Sequence, residues 1–280
     1  MQYEQSAHSL WRLGPCSGTK LYSKMTELGQ LEVREDAGLR WMHYNNGSVE
    51  SVMSLEDPSN PILAYAQAMM SFLLFQQQPK NILNLGLGGG SVIRFCSQFL
   101  PQSNITTIEI NPDVAEVCSQ YFGTNTHSSN LIIDDGQRYL NNLARGNSPR
   151  DTINSNCKSQ YDTILVDLFQ AEGMADCINN NTFYDDCVQC LSPNGVMVLN
   201  LIVNDIDRMT DLLSKVWKSF SGRVICFSLD NCSNIIVLAF REQFQLDPQH
   251  LLKSRAIDLQ NNTRLSFTHY ADSILKSNHW

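Results

Sequence analysis

From residue 20 to 55 apolar and polar positions alternate with a period of two, the pattern of half-buried strands. Leu31 and Val33, with Leu39, Trp41 and His43, make up one set of faces. Asn46-Gly47, between LRWMHY and SVESVMSL, is a two-residue hairpin signal, so a small antiparallel sheet is predicted ahead of the main fold. Near residue 60 the period changes. Pro61 predicts a helix running through AYAQAMMSFLLF and ending before Gln76–Pro79. Beyond it the apolar runs NILNLGLG, NITTIEI, NLIID, YDTILVDLF and GVMVLNLIV alternate with the helical stretches SVIRFCSQFL, PDVAEVCSQYF, GQRYLNNLA and TFYDDCVQCL. That order predicts an α/β fold, a mostly parallel sheet with helices on both faces. RVICFSLDNCSNIIVLAF reads as two runs about Asp230-Asn231, an antiparallel hairpin at the sheet edge. Arg145–Gln160, rich in Asn, Ser, Pro and charge, is a surface insertion, and one or two helices follow Gln243.

A length of 280 residues suits one main core with a small appendage, and 42% hydrophobic residues exclude disorder of the whole chain. The longest apolar stretches, such as Gly195–Val203, fall short of the roughly 20 residues that span a bilayer, so no membrane association is expected. Met1–Met25 has no apolar secretory core, and the nine cysteines, odd in number and scattered, read as reduced thiols of a cytoplasmic protein. Cys187 and Cys190 have metal-like spacing but neither a second pair nor a nearby His, so no metal is expected. A net charge of −8 argues against a nucleic-acid partner, which would call for clustered Lys and Arg. It is compatible with a cationic substrate, although solubility alone accounts for such a charge.

The chemistry gathers at strand ends. Leu85-Gly86-Leu87-Gly88-Gly89-Gly90-Ser91 follows one apolar run and precedes a helix, where glycines let a ligand approach the main chain and the helix start offers free N–H groups. Glu109 closes the next strand, where an acidic side chain can accept both ribose hydroxyls. Asp134-Asp135-Gly136 closes the third and Asp167 the fourth. Each carboxylate alone is equally a helix N-cap. Three successive strands ending in carboxylates behind one glycine loop are hard to produce by packing alone.

The order glycine loop, E-I-x-P, D-D-G, Y-D-x-I-x-V-D and L-S-P-N-G-V resembles the spermidine and spermine synthases, specifically a spermidine synthase-like bacterial branch, and their class I methyltransferase relatives, over about residues 29 to 240. The resemblance implies a Rossmann-like class I methyltransferase fold with a seven-stranded sheet. It divides the chain into an N-terminal β-hairpin region (1–56), a nucleoside-binding catalytic domain (57–245) and a C-terminal helical tail (246–280). It implies a donor, decarboxylated S-adenosylmethionine or S-adenosylmethionine itself. Glu109 would hold its ribose, Asp135 and Gly136 its adenine, and Gly86, Gly88, Gly89 and Gly90 would face the sulfonium. It implies a small-molecule amine acceptor and a homodimer formed through the hairpins. Two departures stand out. The family's loop carboxylate, which engages the donor's amine, falls on Gly89, and its second acid after the fourth strand falls on Gln170. The family's Y-H-E before the loop survives only as Tyr65-Ala66-Gln67.

Aminopropyl or methyl transfer is in either case a displacement at carbon beside a sulfonium, and it needs an aligned, uncharged amine. Asp167 is the first candidate for taking its proton and Glu172 the second, with Tyr65 and Gln170 placed to contact the acceptor. The leading reading is an aminopropyltransferase. The second is a methyltransferase, which loss of the loop carboxylate favours because the donor's own carboxylate is then not repelled. The third is a catalytically degenerate nucleoside-binding protein. An NAD-dependent dehydrogenase fails for want of G-x-G-x-x-G.

Overall fold

The computed structural model of the protein describes residues 16–44, 49–124, 130–147, 160–170, 173–202, 205–230, 232–242 and 248–277. The N-terminal segment forms an antiparallel meander of β1 (Thr19–Thr26), β2 (Gly29–Asp36), β3 (Leu39–Tyr44) and β4 (Val49–Ser54). Asn46-Gly47 lies outside the described residues, but the strands it was expected to join do pair. The β2–β3 turn is Ala37-Gly38, both with positive φ, the backbone of a tight hairpin turn. Its register corrects the expected faces. Leu31 and Val33 stand opposite Tyr44 and Met42, whereas His43 and Trp41 oppose Glu32 and Arg34. Leu31, Val33, Met42 and Tyr44 therefore pack on the main domain, with Leu87, Val117 and Phe122. Leu39 and Trp41 form a separate cluster with Val52 and Ile62.

The helix expected at Pro61 begins later. Leu63 is extended, α1 covers Ala64–Met69, and the chain then tightens into a 3-10 turn over Met70–Leu74. Pro61 and Ile62 lie in extended lead-in, and the Gln67 side chain donates to the Pro61 carbonyl at 2.8 Å, satisfying it from outside the helix ladder.

The main sheet runs β12 (Val224–Ser228), β13 (Asn234–Phe240), β11 (Leu191–Ile202), β8 (Tyr161–Val166), β5 (Asn81–Leu85), β6 (Asn104–Glu109) and β7 (Asn130–Ile133). Only β13 runs against its neighbours, so the expected hairpin sits at the edge with its reversed strand one place inward. The strands are apolar on both sides because both faces are covered. On β5, Ile82 joins a core with α2 (Ser91–Phe99), α7 (Gln249–Thr263) and α8 (Phe267–Ser277). Leu83 and Leu85 point the other way, to α4 (Gly136–Ala144), α5 (Asn181–Cys190) and α6 (Ile206–Ser219). Cys187 and Cys190 belong to that second core. Leu252, Phe267 and Ile274 of the last two helices pack beside Phe72 and Phe227, within the first core. Most of the Arg145–Gln160 insertion lies outside the described residues.

From β5 the chain moves outward through β6 to β7, then crosses back to β8 on the other side of β5. At such a reversal the crossovers diverge and leave a crevice at the carboxyl ends of the strands.

Candidate active site

The crevice is a cavity of about 690 Å³ lined from six directions. Gly86, Leu87 and Gly88 come from the loop after β5, Glu109 from the end of β6, Asp135 and Gly136 from the start of α4, and Asp167 from the end of β8. Tyr44 and Glu50 arrive from the N-terminal sheet and Tyr65 from α1.

The loop has a front and a back. Gly86 has φ +97°, and a β-carbon there would lie 2.2 Å from the Asp167 carbonyl oxygen, so only glycine lets β5 and β8 end side by side. Gly88 faces open space. Gly89 and Gly90 do not line the cavity, which corrects the expectation that the whole loop faces the ligand. A β-carbon on Gly89 would meet Ser51 Oγ at 2.4 Å, and one on Gly90 would meet Thr124 Cγ2 at 2.6 Å. They are glycines because β4 and the segment after α3 (Pro112–Tyr121) press on the loop from behind. Arg94, buried on α2, secures that packing by donating to the carbonyls of Gly89, Phe122 (3.1 Å) and Pro58 (2.7 Å). Burial lowers its guanidinium to about 10.

Glu109 is buried and fixed by main-chain donors. Leu87 N–H reaches Oε2 at 3.0 Å and Asn111 N–H reaches Oε1 at 2.8 Å. Burial pushes its pKa up, while the amides of Asn111, Leu87 and Ile110 oppose that shift. The carboxylate thus ties the glycine loop to β6 and keeps lone pairs for a ligand. Asp135 Oδ1 caps α4 by accepting from Arg138 N–H at 2.8 Å, and the residue also lines the cavity.

Asp167 accepts from Asn200 Nδ2 at 2.9 Å, and the nearby Tyr65 hydroxyl also favours its charged form. Asn200 is itself oriented by Asn234, whose Nδ2 donates to Asn200 Oδ1 at 2.8 Å, so the amide of Asn200 can only present N–H to the carboxylate. Burial raises Asp167 from 3.8 to about 6, against the pull of Asn200 and Tyr65. Tyr65 also reaches the Glu50 carbonyl at 3.4 Å, and its own pKa is well raised, first by burial and then by the Asp167 and Glu50 charges. Glu50 is pushed to about 7, mainly by burial and then by Asp167.

Glu172 lies outside the described residues, and Gln170 is described only as part of the β9 (Phe169–Gln170)–β10 (Gly173–Met174) hairpin. Asn200, Asn234, Arg94 and Glu50 were missed by reading the sequence. The first two lie inside strands with no motif, and their only signal is a polar residue within an apolar run.

Residues 62–222 match the spermine/spermidine synthase domain. The chain belongs to the spermine/spermidine synthase family. A relative named polyamine aminopropyltransferase from Chromobacterium violaceum is 32% identical over 251 residues, covering 89% of this chain and 90% of the relative. This family member is accordingly an enzyme, a transferase. Among solved structures, spermidine synthase in complex with the transition state analogue AdoDATO superposes with TM-score 0.61 at 15% identity, covering 91% of this chain and 83% of that one. Human methyltransferase-like protein 13 in complex with SAH gives 0.63 at 24% identity, covering 72% and 93%. At such identities the two structures speak for the fold, a Rossmann-like class I methyltransferase fold behind a small antiparallel sheet. Among the described residues there is no helix long and apolar enough to cross a membrane and no cluster of metal-ligating side chains.

Proposed function

We propose that the enzyme transfers an aminopropyl group from decarboxylated S-adenosylmethionine to a small amine. The observation that carries this reading is the charge of the cavity. Glu50, Glu109, Asp135, Asp167 and Asp176 line it, against a single guanidinium, Arg208. Such a crevice attracts cations and repels an added carboxylate. It suits a donor carrying a sulfonium and an ammonium, and an acceptor carrying amines. The names of curated relatives such as the Chromobacterium violaceum enzyme support the same transfer.

In this reading Glu109 and Asp135 hold the nucleoside by its ribose and base, and the Gly86–Gly88 turn allows close approach of the sulfur. The acceptor nitrogen attacks the carbon attached to sulfur, the C–S bond breaks, and its electrons neutralise the sulfonium. The new N–C bond leaves the nitrogen positive, and Asp167 takes the surplus proton. Its hydrogen bond from Asn200 aims the carboxylate without neutralising it. On sequence grounds Gln170 is assigned to the acceptor side and Glu172 is the second candidate for taking the proton, with Tyr65 positioning the acceptor.

Methyl transfer from S-adenosylmethionine is the second reading. The glycine loop bears no acid, and Arg208 stands at the cavity wall where it could pair with that donor's carboxylate. Calorimetric titration with both donors separates the two. Tighter binding of the decarboxylated form is expected. Tighter binding of S-adenosylmethionine itself would overturn aminopropyl transfer.

A further inference from the structure

Glu50 reaches the cavity by an irregularity of its strand. β4 pairs with β3 in steady register from Leu39↔Ser54 to Met42↔Ser51, and then His43 pairs with Val49. One residue is left over, and it is Glu50. In unbroken alternation Glu50 would share the face of Val52, which packs with Trp41 and Ile62 away from the cavity. An extra residue of this kind bends the strand and re-aims its side chain, a device found beside active sites. Here it brings a carboxylate among Tyr44, Tyr65 and Asp167, each of which interacts with it electrostatically. Tyr65 fastens the bulge to the site, its hydroxyl donating to the Glu50 carbonyl at 3.4 Å from a position where the Asp167 charge acts on it.

Among the described residues the half-buried Glu50 carboxylate has neither a hydrogen-bond donor nor an ion-pair partner. Asp167 beside it has a donor but no cation. Two neighbouring half-buried carboxylates without a counter-charge repel each other, and a cation between them relieves that repulsion. The position indicates which cation. Glu50 lines the same cavity as Glu109 and Asp167, and its charge acts on Tyr44 together with that of Glu109 and on Tyr65 together with that of Asp167, so in the aminopropyl-transfer reading it borders the space that the donor's side arm occupies. The glycine loop, from Gly86 to Gly90, offers no acid of its own there.

We propose that Glu50, presented by the β4 bulge, is the specificity-determining residue that holds the primary ammonium of the donor's aminopropyl arm. This rests on the aminopropyl-transfer reading and adds to it a residue and a strand irregularity outside the glycine loop. An uncharged side chain at this position leaves the nucleoside grip intact and removes the preference for the amine.

The test uses two nucleosides with neutral sulfur, which differ only by the ammonium and the two methylenes that carry it. These are S-adenosyl-3-thiopropylamine and 5′-methylthioadenosine, titrated calorimetrically into the wild type, Glu50→Gln and Glu50→Asp. The wild type should bind the amine more tightly. Glu50→Gln should weaken the amine about 10-fold or more, the worth of one charge-assisted hydrogen bond. It should leave 5′-methylthioadenosine within about twofold, and Glu50→Asp should recover part of the loss. Equal weakening of both ligands would make Glu50 a purely structural residue and overturn the proposal, as would no weakening of either. A wild type that binds both nucleosides equally also overturns it while sparing the nucleoside site. A wild type that binds neither removes the donor-site reading together with this one.

Discussion

Replacing Asp167 with Asn should stabilise the empty enzyme while disabling it, and by an amount that depends on pH. The unfolded chain ionises this carboxyl near 3.8, whereas in the fold burial holds it protonated up to about 6. The folded state therefore binds the extra proton between those values, and its stability falls as pH rises from about 4 to 7, with the full cost present above that. Two pKa units correspond to about 3 kcal/mol, and since the side chain opens onto the cavity a realistic figure is about 2 kcal/mol. Asn cannot ionise. It keeps an oxygen for Asn200 Nδ2 and offers Tyr65 an N–H in place of an acceptor. It also relieves Glu50 of its charged neighbour. Urea unfolding of Asp167→Asn and wild type at pH 4 and pH 8 should show near-equal stability at the lower pH. At the higher pH the variant should gain about 2 kcal/mol, or a Tm increase of roughly 4–8 °C. Its kcat should fall about 100-fold or more for loss of the proton acceptor. A variant less stable at pH 8, or a stability difference that does not change with pH, would refute the idea that an ionised Asp167 strains the empty site.

Removing the Glu109 carboxylate (Glu109→Ala) strands the N–H groups of Leu87 and Asn111 as well as any ribose hydroxyls. Calorimetry should show nucleoside affinity reduced by roughly 1–3 kcal/mol, and unchanged affinity would exclude Glu109 from the donor site. Asn200→Ala takes away a hydrogen bond that lowers the Asp167 pKa, so the acid limb of the kcat/KM profile should move upward from about 6. A limb that stays in place would separate Asp167 from the proton transfer. Gly86→Ala sets a β-carbon 2.2 Å from the Asp167 carbonyl at a φ of +97°. It should cost on the order of 3 kcal/mol or more in urea unfolding, and a neutral result would mean that the loop can move away from β8.

The main sheet was readable because its strands are apolar on both faces and its helices alternate with them, a pattern that leaves few topologies. The meeting of Gly86, Glu109, Asp135 and Asp167 was equally readable, since each stands at or just after a strand's end and the fold brings those ends to one crevice. What was not readable depends on contacts distant in sequence. Gly89 looks like a ligand-facing position by its place in the motif, but its direction is set by Ser51, 38 residues earlier and on another sheet. Asn200 and Asn234 acquire their purpose only because β13 runs antiparallel beside β11, which places Ile202 opposite Asn234 and Asn200 two residues along the same face. Glu50 is the clearest case. In the sequence V-E-S-V-M-S it falls at a position whose alternation directs it away from the crevice, and a one-residue slip in pairing reverses that direction. Period-two reasoning cannot detect such a slip, because the slip is the point at which the period fails. The acidic half of this site therefore comes partly from the small sheet, and the crevice cannot be understood from the nucleotide-binding core alone.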